Sequence, residues 1–108
     1  MQVNIKRGSR MPALTVYLEL GGKPVPGLEL ATVTFRMRLP TSGSYKVNAA
    51  VTIDDAAAGK VTHAWGATDT DTPGTYQAEW VVTYPDTKQL VIPEKGFDTV
   101  VVEPNLQP

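Results

Sequence analysis

A chain of 108 residues holds one domain, long enough to bury roughly two thirds of its unfolded surface around a single core. It has no cysteine, which excludes disulfides and thiolate metal sites and fits folding in a reducing cytoplasm. A formal charge of −1 with interspersed signs gives no footprint for nucleic acid, and 42% hydrophobic against 19% charged residues excludes a disordered chain.

Residues 1–11, with Lys6, Arg7 and Arg10, read as a short exposed arm, within which Val3 and Ile5 are in phase for an added edge strand. The run that follows is no secretory leader, because Pro12, Tyr17 and Glu19 interrupt it. Nothing approaches the ~20 apolar residues of a membrane helix, so no membrane partner is expected. From there the dominant period is two. Leu14, Val16, Leu18 and Leu20 share one face of "ALTVYLEL"; Val33, Phe35, Met37 and Leu39 share one face of "TVTFRMRL", with Arg36 and Arg38 opposite. "KVNAAVTI" aligns Val47, Ala49, Val51 and Ile53, and "KVTHAW" aligns Val61, His63 and Trp65. "TYQAEWVVTY" aligns Tyr76, Ala78, Trp80, Val82 and Tyr84, and "TKQLVI" and "FDTVVV" complete the series. Such alternation marks strands with one buried and one wet face.

Between these runs stand "GGKPVPG", "PTSG", "DDAAAGK", "DTDTPG", "YPDTK" and "PEKG", each with turn-forming residues. Only 54–59, "DDAAAG", has helical character, and it is too short to be a stable helix. Residues 103–108, "EPNLQP", read as a second exposed arm. A strand about every ten residues predicts an all-β fold, an immunoglobulin-like antiparallel β-sandwich of about 7–8 strands forming one domain over 1–108. With Met1 at the start and a proline-containing tail at the end, the expectation is a complete small gene product.

Candidate chemistry is sparse. His63 is the one histidine, in phase with core residues, and reads as packed in place. Ser9, Ser42 and Ser44 lie in turn-like settings without a nucleophile motif, and no phosphate loop is present, so no catalytic residue, no cofactor and no enzymatic activity are expected. Asp69 and Asp71 in "DTDTPG" are weak metal candidates: the pair begins like a calcium loop but lacks a third acid and a closing Glu. The competing reading is that both acids cap turns. Tyr17, Tyr45, Tyr84, Trp65 and Trp80 are the aromatic set from which a sugar-binding face would be built, although Trp65 and Trp80 are in phase with aliphatic neighbours. Arg36 and Arg38 read most simply as a solvated face and otherwise as a docking surface, arginine being enriched in interfaces; with Tyr17 and Tyr45, from the exposed aromatic set, they are the candidate interface residues.

"DTDTPGTYQAEW", residues 69–80, has the form of the corner through which immunoglobulin-type sandwiches enter a central strand, with Gly74 in the turn and Tyr76 as the corner tyrosine. Ala78 stands where disulfide-bonded families carry cysteine. The series "AAAGKVTHAW", "DTPGTYQAEW" and "PEKGFDTVVV" resembles, across nearly the whole chain, the N-terminal immunoglobulin-like domain of phage upper-baseplate proteins of the BppU type. These are turn and packing signatures, so the resemblance transfers no functional residue. It implies a non-enzymatic virion protein, made in the host cytoplasm. Such a protein docks at the tail or baseplate in multiple symmetric copies, with other virion proteins as partners, as an adaptor for fibres or receptor-binding proteins. This chain stops where family members often continue into a fibre-binding region. A capsid-decoration or neck role and a host-surface glycan- or protein-binding module are the alternatives.

Overall fold

The computed structural model describes residues 1–106. Its strands are β1 (Gln2–Lys6), β2 (Leu14–Tyr17), β3 (Glu19–Leu20), β4 (Lys23–Pro24), β5 (Thr32–Arg38), β6 (Val47–Ala50), β7 (Thr52–Asp55), β8 (Lys60–His63), β9 (Gly74–Thr83), β10 (Gln89–Ile92) and β11 (Asp98–Glu103), with one 3-10 turn at Leu28–Leu30. The larger sheet runs β1-β11-β9-β5-β6, with β10 also on β9; the smaller runs β2-β8-β7; β3 and β4 form a separate hairpin. In immunoglobulin terms β5, β6, β9 and β11 stand as C, C′, F and G, while β2, β8 and β7 stand as B, E and D. The fold is an immunoglobulin-like β-sandwich.

Among the described residues eleven short strands replace seven or eight, because two long runs break and the predicted turn "GGKPVPG" contributes β4. "ALTVYLEL" divides at Leu18, whose N–H reaches the Gly59 carbonyl at 2.7 Å while its own carbonyl accepts from Val25 N–H at 3.1 Å, folding β3 back onto β4. "KVNAAVTI" changes sheets at Val51. The Val51 N–H still bonds Val33 on β5 at 3.0 Å, and the next residue, Thr52, already pairs with Thr62 on β8. Alternation persists through that crossing, so the sequence reads as one strand. Of the segment 54–59, Asp54 and Asp55 end β7 and the rest is a turn, with Ala58 N–H donating to the Asp55 carbonyl at 3.2 Å.

Val3 and Ile5 do lie in an added edge strand, so the first residues are not simply an exposed arm. β1 pairs with β11, in parallel, from Gln2↔Thr99 to Lys6↔Glu103, and buries Ile5. The other ladders of both sheets are antiparallel. At the C-terminal side Glu103 closes β11 and Asn105 donates to the Arg7 carbonyl at 2.9 Å; residues 107 and 108 of the second predicted arm lie outside the described residues.

The inward face of each strand carries the core. Phe35 on β5 and Trp80 on β9 are cross-strand partners with ring centroids 4.6 Å apart, and Phe35 meets His63 of the opposite sheet at 4.9 Å. Phe35, Met37, Val61, Trp80, Val82 and Val100 are fully enclosed. Each such side chain stabilises the fold by roughly 1.5–3 kcal/mol relative to exposure. Both tryptophans belong to this core, and the Trp80 Nε1 is buried without a hydrogen-bond partner.

Candidate functional site

Two regions gather the residues with chemical potential. The first is the corner between β8 and β9. Asp69 accepts the Gly66 N–H at 2.7 Å and lies 2.9 Å from His63 Nε2, so one carboxylate ties the end of β8 to the loop that follows it. His63 is boxed by Phe35 and by Trp65, whose ring stands edge-on at 5.1 Å. Only about a twentieth of the His63 side chain meets solvent, and no serine hydroxyl is bonded to its ring. This arrangement holds a loop. A general base must reach a substrate proton, and this ring has no open approach.

Asp71 faces elsewhere. Its carboxylate pairs with Lys46 and accepts the Thr72 hydroxyl at 3.0 Å, and the Lys46 ammonium, with Thr72 assisting, holds its pKa below the 3.8 of a free aspartate. The two weak metal candidates therefore turn to different partners, Asp69 inward to His63 and Asp71 outward to Lys46. Among the described residues no three histidine or carboxylate side chains gather in one place. Tyr76 donates its hydroxyl to the Thr72 carbonyl at 2.7 Å, and burial raises its pKa above 10.0. Gly74 is where the chain turns into β9: a Cβ there would stand 3.0 Å from Leu39 Cδ2 and 3.7 Å from the Tyr76 ring.

The same corner clamps the N-terminal segment. Thr70, almost fully buried, donates through Oγ1 to the Ser9 carbonyl at 2.9 Å, while its own carbonyl accepts the Gly8 N–H at 3.0 Å. Arg10 Nε donates to the Trp65 carbonyl at 3.0 Å. Residues 8–10 and 65–70 thus form one hydrogen-bonded unit. Nothing local in the sequence marks Thr70 for this, because its partners are some sixty positions away.

The second region is the outward face of the larger sheet. The ladder sets Arg36 opposite Glu79 on one side and Asn48 on the other, and Arg38 opposite Gln77. The Arg36 guanidinium lies 5.4 Å from the Tyr45 ring centroid, an exposed cation–π contact worth about 0.5–1 kcal/mol. Arg36, Arg38, Tyr45, Gln77 and Glu79, with half-exposed Phe97, line a shallow depression. Of the four interface candidates, Arg36, Arg38 and Tyr45 come together here. Tyr17 does not: it lies on β2 in the other sheet, 60% exposed. Sequence reasoning missed Gln77, Glu79 and Phe97. The signal was present, because all three fall in the phase opposite to Tyr76, Ala78, Val100 and Val102. The aromatic set does not form one face: Trp65 and Trp80 are core, and the Tyr84 hydroxyl donates to the Pro26 carbonyl at 2.7 Å.

Two sheets of this connectivity, with a corner tyrosine bonded back to its own loop and an aromatic core, define an immunoglobulin-like scaffold that displays surfaces and edges. No family model matches the chain, and no curated protein matches it. Among solved structures it is similar to the N-terminal domain of phage TP901-1 ORF48, with a TM-score of 0.66 at 13% sequence identity, covering 95% of this chain and 85% of that one. At that identity the likeness is one of fold, and it extends over nearly the full length.

Proposed function

We propose that this chain is a non-enzymatic structural component of a phage virion, an immunoglobulin-like module that docks at the tail or baseplate as an adaptor for fibres or receptor-binding proteins. The observation that carries the reading is the end-to-end similarity of fold to a domain of a phage protein. It coincides with the independent resemblance of the turn and strand signatures in "DTPGTYQAEW" and "PEKGFDTVVV" to upper-baseplate proteins. The chemistry is compatible: the one histidine is enclosed, the acids of the β8–β9 corner are engaged in holding that corner, and polar side chains with exposed aromatics occupy the outward sheet face. In this reading the partners are other virion proteins, contacted in multiple symmetric copies, and the protein is made in the host cytoplasm before it enters the particle.

The test is the composition and map of the purified source virion. Peptides of this chain in the particle, with density at the tail or baseplate against fibre or hub, are the expected result. Density on the capsid or neck moves the role to decoration or junction. Absence from the particle overturns the reading.

A further inference from the structure

The smaller sheet has an open edge. Immunoglobulin sandwiches commonly place a first strand beside B in this sheet. Here β1 instead joins the larger sheet beside β11, so β2 is the outermost strand of its own sheet. The direction of its backbone groups follows from the ladder. Leu18 N–H donates to the Gly59 carbonyl, continuing the register Leu14↔His63, Val16↔Val61. In an antiparallel pair the groups alternate, so the backbone groups of Leu14 and Val16 and the N–H of Leu18 face β8, while the N–H and C=O of Thr15 and Tyr17 face outward.

Beside this edge the two sheets do not close. One groove, of about 440 Å³, has Val3, Ile5, Leu14 and Trp65 among its lining residues together with Lys6, and a second, of about 390 Å³, has Val16, Leu18, Trp80 and Ile92 together with Glu19 and the Met1 ammonium–Asp98 pair; both touch Thr15. A water molecule takes about 30 Å³ of liquid, so this seam has room for side chains. The core reports the same opening. Its residues with the greatest remaining exposure are Ile5 at 8%, Val16 at 8%, Ile92 at 8% and Leu14 at 6%, and all four line the seam.

Three of the other edges are guarded, and β6, the far edge of the larger sheet, reads Val-Asn-Ala-Ala without charge, proline or bulge but lines neither groove. β7 carries Asp54, Asp55 and an irregularity in its register; β10 is bounded by Lys88 and Pro93; β1 exposes Gln2, Asn4 and Lys6. β2, reading Leu-Thr-Val-Tyr, has no charge, proline or bulge, the devices by which folded proteins protect an edge.

We propose that β2 receives an extended segment of a partner protein, which adds a strand through the outward groups of Thr15 and Tyr17 and sets an apolar side chain at every second position into the seam. This deepens the assembly reading above and rests on it. Strand addition takes its affinity from main-chain bonds and its specificity from alternate side-chain pockets, and both are present here. A second copy paired β2 to β2 fits less well: its Leu14 and Val16 already lie in its own core and have nothing to place in the seam.

The test is amide hydrogen exchange on the full chain, with and without a lysine-flanked alternating Val-Thr octapeptide. Protection at Thr15 and Tyr17 is expected to rise by about tenfold or more at saturation, with no rise for an all-threonine peptide or one N-methylated at alternate residues. Thr15→Pro deletes one outward N–H and abolishes the effect, while unchanged protection at Val16 and Leu18 shows that the bonds to β8 persist. Protection on β1 or β6, or nowhere, overturns the proposal. Protection without peptide, in a chain that sediments as a dimer, also overturns it and assigns the edge to a second copy. The chain's presence in virions without protection at β2 leaves the assembly reading standing alone; protection at β2 with absence from virions does the reverse.

Discussion

Replacing Tyr76 with phenylalanine isolates one bond. The ring remains in the core, so no cavity forms, and the change removes only the hydroxyl that donates to the Thr72 carbonyl at 2.7 Å. A neutral hydrogen bond contributes about 0.5–1.5 kcal/mol net. Thr72 is exposed, so water can take up the freed carbonyl and the larger penalty for a buried orphan does not apply. The expected loss is therefore about 1 kcal/mol, a fall in Tm of roughly 4–8 °C for a domain near this size. The dependence on pH sharpens the test. Burial raises the folded-state pKa above 10.0, so the unfolded tyrosine ionises first. The resulting contribution is complete below pH 10.0 and is lost as pH rises through the raised value. Thermal and urea unfolding of Tyr76→Phe and the parent, followed by circular dichroism from neutral pH upward, should show a gap that narrows above that point. A neutral-pH difference within the ~0.5 kcal/mol scatter of surface substitutions would refute the argument that this bond fixes the corner.

Asp69→Ala leaves the buried His63 ring nitrogen and the Gly66 N–H without their shared acceptor, and should cost about 1–3 kcal/mol by urea unfolding, with faster amide exchange at Gly66. Gly59→Ala and Gly21→Ala both place a side chain at positive φ, a cost of about 1–2 kcal/mol. At Gly59 the new Cβ would also stand 2.5 Å from the Leu18 carbonyl oxygen, whereas Gly21 faces open space, so Gly59→Ala should be clearly the more damaging by thermal denaturation. Asp71→Asn removes a carboxylate whose pKa is depressed by Lys46, so any deficit it shows is full above pH 3.8 and closes as pH falls through the depressed value, measured as Tm against pH.

How much of this was legible in the sequence depends on the range of the interaction concerned. Period two identifies the inward faces of β5 and β9, because Val33, Phe35, Met37 and Tyr76, Ala78, Trp80 each obey a rule set by neighbours two positions away. The same rule places Arg36 and Arg38 outward and, carried through every strand, brings Gln77, Glu79 and Phe97 to the same side. The period cannot tell which sheet a strand joins. It runs unbroken through Val51, where the backbone leaves β5 for β8, and it puts Val3 and Ile5 in phase for an edge strand without naming the partner, β11, nearly a hundred residues on. The two acids of the corner show the limit most clearly. Asp69 and Asp71 are indistinguishable in the string "DTDT", yet one is drawn in by the imidazole of β8 and the other out by a lysine preceding β6. Side chains with a single local role are readable from the chain; those whose role is to join distant segments are assigned only by the packing that brings the segments together. The open edge of β2 belongs to the second kind, because its vacancy is created by the choice of β1 to pair elsewhere.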